Sequence, residues 1–163
     1  MTGRLGGKTA VISGGAAGMG RVTSLVFAKE GARVAIIDIQ EDAGRETVGM
    51  IRDAGGEAWF FQADVARSED VDRAFDAIKT EVGPYDVLFN HAGTIIVKPL
   101  HESTEDDYDR LMDINVRSAF LVCRRWSTPN EWSGLIVNAS SVSGLLGRRF
   151  LVLGVGSPAN CAV

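Results

Sequence analysis

Between Ser13 and Gly20 the chain reads Ser-Gly-Gly-Ala-Ala-Gly-Met-Gly, placing four glycines in eight residues. An apolar, β-branched run, Thr9 to Ser13, precedes the cluster, and a helical stretch, Arg21 to Glu30, follows it. A turn of this kind exposes backbone N–H groups at a helix N-terminus, with no side chains in the way, and such groups accept phosphate oxygens. Ser13, Gly14, Ala17, Gly18, Met19 and Gly20 are therefore candidate contacts for the diphosphate of a dinucleotide.

Asp38 lies 18 residues beyond Gly20, at the end of a second apolar run, Arg33 to Ile39. A carboxylate there can accept from both hydroxyls of an adenosine ribose and repels a phosphate on the 2′ position. Charge-assisted hydrogen bonds of this kind contribute about 1.5–3 kcal/mol. Ala16 and Ala17 carry no charge and Ile39 follows the acid, so no cation nearby reverses that preference. The expected cofactor is NAD, with Asp38 and Ile39 at its adenosine end.

The elements that would hold these residues alternate. Strands are predicted at Thr9 to Ser13, Arg33 to Ile39, Ala58 to Gln62, Asp86 to Asn90 and Leu135 to Ser140. Helices are predicted at Arg21 to Glu30, with Val22, Leu25 and Val26 on one face, at Glu41 to Ala54, and at Ser68 to Val82. Thr104 to Val122 reads as one long helix, with an N-cap at Ser103 or Thr104 and an acidic first turn. Strands alternating with helices imply right-handed βαβ units. The expected fold class is α/β, a Rossmann-type doubly wound parallel sheet ordered 3-2-1-4-5, forming one domain over residues 1–163.

Composition limits the other possibilities. Lys and Arg total 17 against 21 Asp and Glu, a formal net charge of -4, which disfavours a nucleic-acid partner. No apolar run approaches the roughly 20 residues that span a bilayer, and the first residues lack the apolar region of a signal peptide. Cys123 and Cys161 have no metal-type spacing, and His91 and His101 are isolated, so no metal site is expected. These features together predict a cytoplasmic protein.

Gly14, Gly18 and Gly20 are spaced like the Thr-Gly-x-x-x-Gly-x-Gly turn of the short-chain dehydrogenase/reductase family. Further stretches resemble that family in order: Ala63-Asp64-Val65 after the third strand, Asn90-His91-Ala92-Gly93 after the fourth, Asn115-Val116 in the long helix, and Asn138-Ala139-Ser140-Ser141 at the fifth strand. His91 departs from the asparagine that the family carries there. The resemblance covers residues 7–147. It implies hydride transfer between NAD(H) and a small alcohol or ketone; a homo-oligomer is expected on separate grounds, because a sheet that stops at the fifth strand leaves an apolar edge open to pairing. Asp64, Val65, Asn90, Ala92 and Gly93 would line the cofactor, Ser141 would position the substrate oxygen, and Asn115 would hold a water in a proton relay.

The family also supplies a tyrosine general acid/base, with a lysine four residues on, about a dozen residues past Ser141. Here that stretch runs Arg148-Arg149-Phe150-Leu151-Val152-Leu153-Gly154 and contains neither. Codon degeneracy allows residues 125–132 and part of 148–163 to be rewritten, in shifted frames, closer to the family pattern. A frameshifted dehydrogenase is thus one expectation, and a shortened paralogue that binds NAD(H) without catalysis is the other. A methyltransferase shares the layered sheet but not the matches at Asn115 and Ser140-Ser141.

Overall fold

Short-period apolar runs that are hydrophobic on both faces belong inside a parallel sheet, and the five such runs here form one. The computed structural model describes residues 3–127 and 134–141. Its strands are β1 (Thr9–Ser13), β2 (Arg33–Asp38), β3 (Glu57–Gln62), β4 (Val87–Asn90) and β5 (Leu135–Asn138), all parallel and ordered β3-β2-β1-β4-β5. Both the fold class and the strand order match the expectation from sequence.

Every residue of β1 is buried, and so are Val34 to Asp38 of β2. On one face Val11, Ala35, Ile37 and Leu88 pack under α3 (Ser68–Glu81) and α5 (Ser118–Trp126). On the other, Ala10, Ile12, Val34 and Ile36 meet the side chains of α1 (Gly18–Lys29) and α2 (Glu41–Asp53). Helix α3 buries Val71, Ala74, Phe75 and Ile78, as its spacing requires. Cover is lost at β5, where Leu135 is 60% and Val137 39% exposed among the described residues.

Two helices differ from their sequence reading. Helix α1 opens at Gly18, earlier than Arg21, and does not turn Val22 and Val26 inward; they are 59% and 44% exposed. It buries Gly20 and Ser24 instead. The physical reason is proximity at the helix start: a Cβ on Gly20 would sit 1.9 Å from the Gly14 carbonyl oxygen, so the first turn meets the sheet through a glycine, and larger side chains, Leu25 and Phe27, pack on the core only further along.

The stretch expected as one helix is divided. Helix α4 (Glu105–Met112) gives way to a wide π-turn over Asp113–Arg117, and α5 then runs on to Trp126. Such wider turns concentrate at functional sites. Arg125 and Trp126, the first residues of the 125–132 stretch that a shifted frame would rewrite, are helical: Trp126 packs on Tyr85 with ring centroids 4.6 Å apart, and Arg125 pairs with Asp72 and Asp76. Residues 128–132 and 148–163, which carry the rest of the frameshift expectation, lie outside the described residues.

Thr104 caps α4 in a reciprocal box with Asp107, which also pairs with Lys98. The Lys98 ammonium, and then the Thr104 backbone N–H and hydroxyl, hold the Asp107 carboxyl down to about 2 from its ordinary 3.8. The stabilisation this gives is complete above pH 3.8 and is lost as pH falls through about 2. Asp107→Asn is expected to lower the thermal midpoint at pH 7, with the gap to wild type closing as pH falls from about 4 to 2. A gap independent of pH in melting curves would contradict the ion pair's role.

Candidate functional site

In an open sheet of this order, the neighbours of β1 lead their helices to opposite faces, and a crevice opens at the strands' C-terminal ends between β1 and β4. A cleft of about 800 Å³ lies there, bordered by Gly14, Gly18, Asp38, Asp64, Ala92 and Ile114 among others. Of the residues expected to hold a cofactor, Ala17, Met19, Ile39, Val65 and Gly93 also line it.

The glycine turn is built for close approach. Gly14 has φ +71°, and a Cβ there would come 2.7 Å from Ala92 Cα. Gly18 has φ +53°, and its Cβ direction points into open space. The N-cap of α1, Ala17, offers no side-chain cap, which leaves the first-turn N–H groups for a ligand. Ala16 fixes the turn from behind: its N–H donates to Asp38 Oδ2 at 3.0 Å, while its carbonyl accepts from Arg21 Nε at 3.0 Å and Thr47 Oγ1 at 2.9 Å. Ser24 Oγ donates to the Gly20 carbonyl at 2.9 Å.

Asp38 is 7% exposed, and its second oxygen accepts from Gln40 N at 3.0 Å. A carboxylate has about four acceptor positions, so both oxygens keep capacity for hydroxyl donors. Asp64 Oδ1 accepts from Ala66 N at 3.0 Å, holding the loop after β3 against the cleft beside buried Val65.

Several expected contacts take other roles. The side chains of Ser13 and Asn90 are buried behind the cleft, where Ser13 Oγ donates to Asn90 Oδ1 at 2.8 Å and accepts from the N–H groups of His91 and Ala92 at 3.1 and 3.3 Å. Gly20 sits under the turn as a packing requirement. Asn115, in the π-turn, clamps Thr94 at two points: Oδ1 accepts from Thr94 N at 2.7 Å and Nδ2 donates to Thr94 O at 2.9 Å. Its amide thereby shapes the loop after Gly93. Ser141 is exposed beyond β5. Neither tyrosine in the sequence lines the cleft: Tyr85 is buried against Phe75 and Trp126, and Tyr108 is 49% exposed on α4.

The sequence pattern of the short chain dehydrogenases matches residues 8–153. The chain belongs to the short-chain dehydrogenase/reductase family. It is 39% identical over 147 residues to the cyclopentanol dehydrogenase of Comamonas sp. (strain NCIMB 9872), covering 89% of this chain and 59% of that protein. Among solved structures, a short-chain dehydrogenase/reductase from Burkholderia xenovorans superposes with a TM-score of 0.87 at 29% identity, over 94% of this chain and 64% of that one. The 3-ketoacyl-(acyl-carrier-protein) reductase of Brucella melitensis, solved with NADH, gives 0.71 at 33% identity, over 76% and 50%. The chain thus spans between half and two thirds of these relatives' length.

Thr47, Ser24 and Arg21 were not singled out from sequence. The signal for Thr47 and Ser24 was a small polar residue on the buried side of a helix, which has meaning only once the turn behind it is known. For this family turn, Gly20→Ala is expected to destabilise the chain by about 1–3 kcal/mol, because the added methyl meets backbone. Urea denaturation would register this as a lower midpoint, and an unchanged midpoint would mean that α1 can lift off the turn freely.

Proposed function

We propose that the chain is an NAD(H)-dependent oxidoreductase of the short-chain type, acting between an alcohol and a ketone. The supporting observation is the cleft itself: an uncapped helix N-terminus and an open Gly18 stand at one point, with an acceptor-only carboxylate, Asp38, bordering the same cavity. These residues fit a dinucleotide. The first-turn N–H groups of α1 would hold the diphosphate, Asp38 would take the adenosine ribose hydroxyls, and the loops at Asp64-Val65 and Ala92-Gly93 would border the rest. Bound there, the nicotinamide supplies hydride exchange with a substrate carbon.

Preference for NAD over NADP rests on Asp38, whose buried negative charge repels a 2′-phosphate. Among the described residues the lining also carries Asp64, Asp106, Asp109 and Asp113 against one cation, Arg110, so the cavity as a whole favours the less charged dinucleotide. Asp38→Asn is expected to weaken NADH binding by about tenfold or more and to narrow its advantage over NADPH. Fluorescence titration of both cofactors reads this out, and an unchanged ratio would remove Asp38 as the determinant.

A second reading has its own support. No tyrosine borders the cleft among the described residues, and the Asn115 amide is engaged by Thr94. A general acid/base typically contributes 10²–10⁴-fold in rate, so a chain without one would bind NAD(H) and turn it over barely. NADH binding together with NAD⁺ reduction on a panel of secondary alcohols supports the first reading. Binding without turnover supports the second, and the absence of binding excludes both.

A further inference from the structure

His91 stands where the family resemblance has asparagine, and nothing above assigns it a task. Its ring lies flat against Phe89, with centroids 5.4 Å apart and planes within 8°. Stacking of this kind restrains the ring plane, so its nitrogens have defined directions. Nδ1 is sealed from solvent and has no hydrogen-bond partner. His91 borders the cleft, and Nε2 is the ring nitrogen not sealed in this way.

Nδ1 lacks a partner in either protonation state, and a buried N–H without an acceptor is the rarer of the two arrangements. The neutral ring accordingly carries its proton on Nε2 and offers one N–H to the cleft. Burial also lowers the ring's affinity for a second proton, and the charge on Asp38 opposes this only in part. Asp38 is the charged group whose field reaches the ring among the described residues.

The position beside the glycine turn suits an acceptor held by that turn. The His91 backbone N–H is tied to Ser13 Oγ at 3.1 Å, and the next residue, Ala92, sits where a Cβ on Gly14 would come within 2.7 Å. His91 therefore borders the phosphate-cradling segment from the β4 side. We propose that His91 is a cofactor-binding residue, a neutral imidazole donating from Nε2 to a diphosphate oxygen of the dinucleotide. This rests on the dinucleotide reading above and adds to it a second wall of the anion site, facing the helix N-terminus.

The test uses the 163-residue chain, with NADH and ADP-ribose as probes. His91→Phe keeps the stack on Phe89 and removes the donor; His91→Asn restores an N–H. His91→Phe is expected to weaken both probes by the same factor, about tenfold or more, and His91→Asn to recover most of it. Wild-type affinity should stay flat from pH 6 to 8, and ¹⁵N shifts should place the proton on Nε2. Equal binding by wild type and His91→Phe overturns the inference while leaving the dinucleotide reading intact. A loss confined to NADH overturns the diphosphate assignment, and affinity rising as pH falls overturns the neutral donor. A wild-type chain that binds neither probe overturns the dinucleotide reading and this inference with it.

Discussion

One buried hydroxyl ties the two halves of the cleft together. Ser13 Oγ has a single proton and two acceptor positions, and all three are used: the proton goes to Asn90, and the backbone N–H groups of His91 and Ala92 fill the rest. Through it the last residue of β1, from which the glycine turn departs, is bonded to the last residue of β4 and to the loop that follows. Asn90 carries the connection further, since its Nδ2 lies 3.4 Å from the Ala119 carbonyl of α5 and 3.7 Å from Cys123 Sγ. Gly14 and Ala92 can then press together with almost no space between them. The cavity takes its shape from that contact, and the rest of the site is arranged around it.

A parallel arrangement holds the other wall. Asn115 makes two bonds to a single residue, Thr94, and this requires the helix to open by one residue at Asp113–Arg117. A regular helix through that segment would carry the amide around the axis and away from the loop. The irregularity thus fixes the far side of Gly93, whose Cβ position would lie only 3.1 Å from Asn115 Oδ1. Two side chains, Ser13 and Asn115, hold the loop after β4 from opposite ends, and both do so through main-chain groups.

Much of this was legible in the residues. The periodicity of β1 to β4, the strand order and the location of the cleft follow from apolar runs alternating with amphipathic helices and from a glycine cluster at the first strand–helix junction. Asp38 stood out as an acid at the end of an apolar run, and the structure sets it on the border of the cleft. What the pattern could not convey was direction. Val22, Leu25 and Val26 share one face by spacing, yet the close approach at Gly20 sets the helix so that Leu25 meets the core while Val22 and Val26 face outward. Ser13, Asn90 and Asn115 read from their motifs as site residues, and in the structure their side chains join loops. The π-turn left no trace in hydrophobic periodicity because it shifts the phase of a helix without altering its composition.

The placement of β1 between β2 and β4 has a consequence for the order in which the molecule can assemble. Strands β1, β2 and β3 follow one another along the chain and pair as neighbours, so their half can form from contacts between adjoining segments. The bonds from Ser13 to Asn90, His91 and Ala92 instead span 77, 78 and 79 residues. Closing so large a loop is entropically uphill until the partner strand docks, which slows that step relative to local pairing. The crevice is consequently the seam at which two separately ordered portions of chain meet. A molecule held across that seam would act as a fastener, slowing the first separation of the two portions more than it hastens their union.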